Sequence, residues 1–458
     1  MLSLSHPGLW PSNGVTIGGT QFVNLGLQGV GRVAANSIDP ATGESLGSMS
    51  GMEITAFTNN GNGSWSGTFN FLPDRGYNAG ALFSNYAARI NAFNFTFTPY
   101  TAAAPTALQT QIAMSFTGST RFTYDHDNNP LTAAIYTTGL LPAAGGSFVF
   151  GTTLPTVAAA TTQSDGSFAN RLTVDAEALA LDKRTGKAGS GWIGDEYGAS
   201  LYRFDANKQI VGVLPLPPAL VPRTAGNINF LSDPPVSGRR VNQGFDDNGA
   251  TGGAVVNRNG AQSEIVALNS HQLLVLSRDG NGRGASGSPV FKSVLLADLN
   301  GATNINGLFD ASTAAAAPGG VLSPTVTPIS WTEALNMLGK LGPGAANIEL
   351  AKFGLNINAR PGDINSISEK WEALALVPVG DVAAPNDYFL FVGNDNDFQS
   401  ASGKYMLADG TLANYNAGLE NDSVVLAWRV QVVPEPATYA LMLAGLLGVA
   451  AVARRRRH

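Results

Sequence analysis

The chain has 458 residues, of which 13% are charged and 44% hydrophobic, with 54 glycines and no cysteine. This composition is typical of strands joined by turns and not of a disordered chain, and it excludes disulfide frameworks and thiolate sites. Setting aside Glu435 and the block Arg454 to Arg457 reduces 33 acidic and 27 basic residues to 32 and 23, a net charge of −9. An acidic body argues against nucleic acid as a partner and is compatible with cation binding.

The N-terminus, MLSLSHPGLWPSNG, has neither the basic start nor the apolar segment of a secretory signal peptide. The other end of the chain has features of an exported protein. We therefore expect the true start codon to lie elsewhere, or the sequence to be truncated.

Residues 1 to 431 are predicted to form an all-β ectodomain with a weak internal repeat. Each copy has an apolar strand that starts near a glutamate, a polar turn, a second apolar strand and a terminal carboxylate, which together predict a β-hairpin. The copies begin with GMEITAF at Gly51, DAEALAL at Asp175, SEIVAL at Ser263 and KWEALAL at Lys370.

Hairpins that recur every several tens of residues favour a β-propeller, which we expect to have about six blades. The same polar positions recur in each copy, and in a propeller such positions converge on one central mouth. A β-sandwich of the same strands is the main alternative.

Two later segments depart from the repeat. Residues 311–328 are rich in Ala, Thr and Pro and are predicted to be a surface loop. The following SWTEALNMLGKLG predicts a helical insertion over about 330–357, because Ser330 and Glu333 have the spacing of a capping box and Trp331, Leu335 and Leu338 lie on one helical face. This helix is expected to cover one end of the propeller; a role as a substrate lid is the alternative.

The tail, 432–458, contains Pro434-Glu435-Pro436, then 16 uncharged residues from Ala437 to Val452, then the arginine block. A transmembrane helix is predicted over 437–453, with the arginines in the cytoplasm and the ectodomain outside. The order of these three parts resembles the PEP-CTERM sorting signal. The resemblance implies an exosortase as processing partner, transient anchoring in the inner membrane, and release to the cell surface or beyond.

Carboxylates recur at both ends of the repeat units. A residue at the start of a blade's inner strand faces the central channel, where several carboxylates repel one another unless a cation neutralises them. Oxygen ligands in flexible geometry suit calcium, so we predict a calcium site; the alternative is that these are ordinary turn residues. The candidate ligands are Glu53, Glu177, Asp195, Glu196, Glu372, Asp395 and Asp397. The arginines beside them, Arg75 and Arg278, are candidate catalytic residues that hold developing negative charge.

Other catalytic patterns are weak. The four histidines do not pair at metal-ligand spacing, and no phosphate-binding glycine loop with a following lysine occurs. One Gly-x-Ser-x-Gly match, Gly43 to Gly47, follows a turn and lacks the strand-turn-helix context of a nucleophile, so we interpret it as chance.

The repeat motifs SMSGMEI…LPDRGYN, DAEALAL…GWIGDEYG…LYRFD, LLVLSRDGNG and WEALAL…VGNDNDF resemble the phytase-like family, also described by its esterase-like activity. The resemblance covers about residues 20 to 430. It implies a secreted propeller with calcium-assisted phosphoesterase or esterase-like activity. The chain departs from the family at Gly244 to Asp247, which reads Gly-Phe-Asp-Asp where members usually have Gly-Phe-Glu-Gly.

Two functions are therefore expected. The first is a hydrolase of phosphate or carboxylate esters outside the cell, whose substrate is a small anionic ester. The second is a non-catalytic surface propeller that binds calcium and an extracellular polysaccharide or protein in a matrix. The Asp-Arg and Arg-Asp pairs favour the first function, and the lack of a recognisable nucleophile or histidine base favours the second.

Overall fold

The structure is a computed structural model that describes residues 14–80, 82–126, 133–157, 171–215, 217–218, 220–231, 261–289, 291–311, 316, 322–339, 348–357 and 363–434. Nearly all of the regular secondary structure in these residues is strand, as the high content of β-branched and aromatic residues predicts.

The first half of the chain supplies two large sheets, of which the first is antiparallel and the second also contains one parallel pair. The strands up to Arg121 are β1 (Val15–Ile17), β2 (Thr20–Val33), β3 (Gly51–Asn59), β4 (Trp65–Leu72), β5 (Asn78–Ala79), β6 (Leu82–Phe83), β7 (Arg89–Phe97) and β8 (Ile112–Arg121). The strands that follow are β9 (Thr123–Tyr124), β10 (Ile135–Tyr136), β11 (Ser147–Val149), β12 (Thr152–Leu154), β13 (Ala176–Leu181), β14 (Gly191–Asp195), β15 (Ser200–Phe204), β16 (Gln209–Pro215), β17 (Arg223–Thr224) and β18 (Asn227–Ile228).

The second half supplies two more large sheets and one short helix. Its elements are β19 (Ala261–Ala267), β20 (Gln272–Arg278), β21 (Lys292–Asp298), β22 (Ser330–Asn336), α1 (Ile348–Lys352), β23 (Lys370–Pro378), β24 (Asp387–Asp395), β25 (Gly403–Met406), β26 (Leu412–Tyr415) and β27 (Ser423–Val433).

The large sheets are four blades in chain order. The strand orders are β3-β4-β7-β8 in blade 1, β13-β14-β15-β16-β9-β10 in blade 2, β19-β20-β21-β22 in blade 3 and β23-β24-β27-β2-β1 in blade 4. The edge strands β3, β13, β19 and β23 are the innermost: β3 contacts β13 and β23, and β19 contacts the same two strands. The four blades therefore surround one axis in a propeller-like arrangement.

Apolar side chains fill the wedges between blades. Phe69 and Phe95 of blade 1 pack against Phe391 of blade 4, and Phe97 packs against Phe389 in the same cluster. A second cluster joins blades 3 and 4, and a third joins blade 2 to the mouth end of blade 1. Burying each such side chain stabilises the fold by about 1.5–3 kcal/mol, so the packing between blades maintains the ring.

Blade 4 closes the ring because it combines the two ends of the chain. The N-terminal β2 pairs antiparallel with the C-terminal β27, from Val33 opposite Ser423 to Gln21 opposite Val433. Gly29 in β2 allows a close approach to blade 1, since a Cβ there would lie 2.6 Å from a ring carbon of Phe97.

Each innermost strand begins at the same end of the ring, which we call the mouth. The second strand of each blade ends there, because Gly51 lies opposite Leu72, Ala176 opposite Asp195, Ala261 opposite Arg278 and Lys370 opposite Asp395. The residues that open and close each repeat unit are thereby gathered around one opening.

Two sequence predictions about the fold were wrong. The described residues form four blades and not six, because much of the chain between the repeats forms two-stranded hairpins, β5-β6, β11-β12, β17-β18 and β25-β26, instead of further blades. The predicted insertion helix is a strand where it was expected to begin: β22 pairs with β21 over Ser330–Asn336, and the only helix within 330–357 among the described residues is α1.

The physical reason for the second error is that β22 is an edge strand. One face of β22 is solvated while Leu335 is buried, so the hydrophobic pattern of this strand resembles that of an amphipathic helix. Its backbone N–H and C=O groups form hydrogen bonds with β21, where a helix would form them internally. Within the described part of the chain, no helix has the length and apolar character needed to cross a membrane. The helix predicted over 437–453 lies outside the described residues.

Candidate active site at the mouth of the ring

A pocket of about 480 Å³ opens at the mouth. Its lining is mostly polar and consists of Asp74, Arg75, Tyr77, Asn78, Ala79, Asp175, Glu177, Glu196, Gly284, Lys370, Asp397, Gln399, Ala417 and Leu419. Three of the four blades contribute ionisable side chains to this lining, so the pocket depends on the assembled ring.

A β-bulge in each of two innermost strands changes the direction of a glutamate side chain. In β13, Ala176 lies opposite Asp195 and Ala178 opposite Gly194, so Glu177 is an extra residue in a β-bulge. Glu372 occupies the same position in β23, between Trp371 and Ala373. A bulge redirects the side chain of its extra residue, which explains why both glutamates leave the normal alternation of the strand.

Two groups of carboxylates share Asp74. In the Asp175 group, one oxygen of each of Asp74, Asp175 and Glu177 lies within 4.8 Å of the others. In the Asp395 group, the same holds for Asp74, Asp395 and Asp397. These residues come from blades 1, 2 and 4.

Each group has one cationic side chain. Arg75 Nη1 lies 2.5 Å from Asp175 Oδ2, and its guanidinium also lies against the Tyr197 ring, 5.3 Å from the centroid. Lys370 Nζ lies 2.5 Å from Asp397 Oδ1 and 3.3 Å from Asp395 Oδ2.

The protonation equilibria of the groups reflect these contacts. Burial, reinforced by neighbouring carboxylates, raises the pKa of both Asp74 and Glu177 well above the usual range. Burial also raises the pKa of Asp175 to about 6, although the positive charge of Arg75 acts to lower it. In contrast, the Lys370 ammonium overcomes the opposing effect of burial and lowers the pKa of Asp395, while burial and the charge of Asp395 keep the pKa of Asp397 raised. Negative charge is therefore least compensated at Asp74 and Glu177.

Calcium fits the Asp175 group by the chemistry of its donors. The group offers oxygen atoms only, from carboxylates whose mutual repulsion a divalent cation relieves. Oε2 of the buried Glu372, whose charge acts on Glu177, has no hydrogen-bond partner among the described residues. A cation beside Glu177 reduces the electrostatic cost of this neighbour as well.

Other predicted site residues have structural contacts instead. Asp195 accepts hydrogen bonds from the backbone N–H groups of Asp175 and Gly198, both at 2.9 Å, so it ties the segment that carries Asp175 to the turn that contains Gly198. Arg278 is largely buried and pairs with Glu372 outside the pocket lining.

Glu53 lies deeper along the axis than the mouth. It accepts a hydrogen bond from the N–H of Leu181, at the far end of β13, and pairs with Lys183 at 3.2 Å. The structure thus brings Glu177, Glu196 and Asp397 together in the pocket lining and leaves Glu53 apart.

Sequence reasoning did not place Asp74, Asp175, Lys370 or Glu264 among the site residues. A signal was present for all four, since Asp74 forms with Arg75 the Asp-Arg pair that ends a repeat unit. Asp175 and Lys370 each precede a repeated glutamate by two positions, at the point where an innermost strand begins. Glu264 aligns with Glu53, Glu177 and Glu372 in the repeat and gives the fourth innermost strand its glutamate.

The Gly-x-Ser-x-Gly match is structural. Ser45 is buried, and its Oγ accepts a hydrogen bond from the Lys404 N–H at 2.9 Å. Its hydroxyl therefore links two chain segments and is not presented to the pocket.

Comparison with known proteins supports the sequence motifs. Residues 45–246 match the family model for phytase-like proteins, described as esterase-like activity of phytase, which confirms that resemblance. Residues 432–457 match the PEP-CTERM protein-sorting motif, which implies processing by an exosortase. The departure at Gly244 to Asp247 lies outside the described residues.

A relative from Arthroderma benhamiae described as an uncharacterized secreted protein is 26% identical over 483 aligned positions. The alignment covers 82% of this chain and 88% of the relative. The sorting motif indicates export to the cell envelope or surface.

Proposed function

We propose that this exported phytase-like protein is a calcium-assisted hydrolase of phosphate or carboxylate esters that acts outside the cell. The observation that carries the proposal is the mouth pocket, where the under-compensated carboxylates Asp74 and Glu177 lie beside the cationic side chains of Arg75 and Lys370. Such a pocket can hold a cation and the anionic part of an ester together.

Calcium bound at Asp74, Asp175 and Glu177 would attract the ester oxygens and polarise the bond to be cleaved. Arg75 is 28% exposed at its side chain and donates into the pocket, so it is placed to stabilise negative charge that grows towards the transition state. Its ion pair with Asp175 and its contact with Tyr197 orient the guanidinium before substrate binds.

Water must lose a proton when it attacks the ester. Glu196 is the exposed carboxylate of the pocket lining, and we assign it as the acceptor of that proton. Arg278 does not contact the substrate. It is a positioning residue, because its ion pair holds Glu372, whose charge acts on Glu177.

The test is hydrolysis of p-nitrophenyl phosphate and p-nitrophenyl butyrate by the purified protein with calcium or with chelator. We expect cleavage of at least one ester with calcium and background rates with chelator. Glu196→Gln should slow the cleavage while leaving calcium binding intact. Background rates for both esters under all conditions would refute the hydrolase.

The second candidate is a non-catalytic propeller that binds calcium and an extracellular polysaccharide or protein. Two observations favour it: among the described residues the pocket lining contains no serine, threonine or histidine, and the lining cations Arg75 and Lys370 are already paired with carboxylates. Calcium-dependent retention of the protein on cell-surface polysaccharide, without hydrolysis of either ester, would support this function.

A further inference from the structure

The two carboxylate groups at the mouth differ in how their charge is balanced. In the Asp395 group, the Lys370 ammonium contacts two of three carboxylates, Asp395 and Asp397. In the Asp175 group, Arg75 contacts Asp175 alone, and no lysine or arginine within the described chain forms an ion pair with Asp74 or Glu177.

The position of Lys370 is set by the blade. Lys370 is the first residue of β23 and lies directly opposite Asp395 in the ladder with β24. Asp395 Oδ1 in turn accepts the backbone N–H of Asp397 at 2.7 Å, which fixes the second carboxylate beside the same ammonium. The ammonium is thus held by backbone pairing and by two carboxylates, and only 30% of the side chain is exposed.

The electrostatic environment of Glu177 includes a further buried carboxylate, Glu372. Glu372 is 7% exposed, its Oε2 has no hydrogen-bond partner among the described residues, and its charge is the largest neighbouring influence on Glu177. Burial and the charge of Asp395 raise the pKa of Glu372 to about 8, so a proton compensates this oxygen, and the carboxylates left for a divalent cation are those of the Asp175 group.

We propose that Lys370 is a built-in monovalent cation that occupies the Asp395 group and thereby restricts the pocket to one divalent cation, bound at Asp74, Asp175 and Glu177. The inference rests on the calcium part of the proposed function. Asp74 belongs to both groups, so a divalent ion in the Asp395 group would lie next to the ammonium and to the first ion, and both repel it.

Removal of the ammonium should open the second group. Isothermal titration with calcium chloride is expected to give one ion per wild-type chain and two per Lys370→Gln chain. Lys187→Gln, a matched change at an exposed lysine in the β13–β14 turn, should keep one. Two ions in the wild type, or one in Lys370→Gln, would overturn the inference. No ion in the wild type would refute the calcium part of the proposed function as well.

A second variant, Asp397→Asn, tests the proposal even if the Lys370→Gln protein does not fold. If the ammonium fills the Asp395 group, Asp397→Asn leaves the stoichiometry at one and the calcium affinity within about threefold of wild type. If calcium instead binds at Asp395 and Asp397, the variant should lose at least about tenfold in affinity, since even outer partners of a metal contribute that much. That loss would overturn the proposal without any assay of hydrolysis.

Discussion

Glu264 demonstrates at the scale of one residue how the ring changes the chemistry of a side chain. It is buried, accepts only the N–H of Ile265 at 3.0 Å, and leaves Oε2 without a hydrogen-bond partner among the described residues. Burial, with the charge of Glu53 as a smaller contribution, raises the pKa of Glu264 to about 8.

This pKa predicts a pH-dependent loss of stability. The folded protein retains the Glu264 proton up to about pH 8, whereas the unfolded chain releases it near pH 4.3, so stability falls as pH rises through that window. In the presence of chelator, Glu264→Gln should match the wild-type melting temperature at about pH 4 and exceed it at about pH 8.5. Glu333→Gln, at an exposed glutamate of β22, is the control and should follow the wild type. Parallel melting curves for Glu264→Gln and wild type would contradict the prediction.

Arg75 carries the residue-scale prediction for catalysis. Loss of a preorganised donor to developing charge typically lowers the rate by about two to three powers of ten. Arg75→Ala should therefore reduce kcat for ester cleavage by that amount, measured with calcium at saturation. Arg203→Ala is the control, because Arg203 is exposed on β15, away from the pocket lining. Equal rates in the two variants would remove Arg75 from the active site.

At the scale of the element, β27 determines whether the ring closes. It pairs with β24 on one side and with the N-terminal β2 on the other, so it joins the two ends of the chain. Trp428 of this strand is fully buried, and its indole N–H lies 3.1 Å from Glu349 Oε2 of α1.

We predict that Trp428→Ala lowers the free energy of unfolding by about 3–5 kcal/mol, the usual cost of emptying a buried aromatic site. Trp331→Ala on the edge strand β22 offers a matched deletion at a half-buried position and should cost clearly less. Urea denaturation monitored by circular dichroism measures both. A smaller loss for Trp428→Ala than for Trp331→Ala would mean that β27 does not limit closure.

At the scale of the whole molecule, β27 also sets where the tail leaves the propeller. The strand starts at Ser423, near the mouth, and ends at Val433, at the opposite end, close to the turn 379–386 between β23 and β24. The sorting motif begins immediately afterwards. A membrane-attached molecule would therefore direct its mouth away from the membrane.

Cysteine labelling can test this orientation, because the chain has no cysteine of its own. Asn78→Cys places a thiol in the pocket lining, and Asp381→Cys places one in the exposed turn at the opposite end. The labelling rate of position 78 by a large membrane-impermeant maleimide is divided by that of position 381. This ratio should be higher while the tail is attached than on the released protein. An unchanged ratio of labelling rates would contradict the orientation.

Processing of the tail gives a further prediction at this scale. If an exosortase removes the segment after Pro434, mass spectrometry of protein recovered outside the cell should detect no peptide that reaches Arg454. Replacing Glu435 with Ala in the sorting motif should retain the tail. An intact tail on most extracellular molecules would exclude processing at this motif.

The sequence alone determined those features that depend on local pattern. The recurring glutamate followed by an apolar strand identified all four innermost strands, because each blade repeats the same hairpin. The sorting motif was equally readable, since its three parts are contiguous. The bulged glutamates Glu177 and Glu372 were found for the same reason, although calcium at them remains a prediction.

Only the tertiary structure decided how many blades form and which charges meet. Asp74 and Asp175 are far apart in the chain and are brought together by the contact between blades 1 and 2, while Lys370 reaches Asp397 through the register of blade 4. The strand at Ser330–Asn336 depends in the same way on a partner, β21, that supplies its hydrogen bonds. The local sequence pattern determines which secondary structures a segment can form. The pairing of distant segments determines which charges compensate one another and whether an edge segment becomes a strand, because the partner residues are not part of the local sequence.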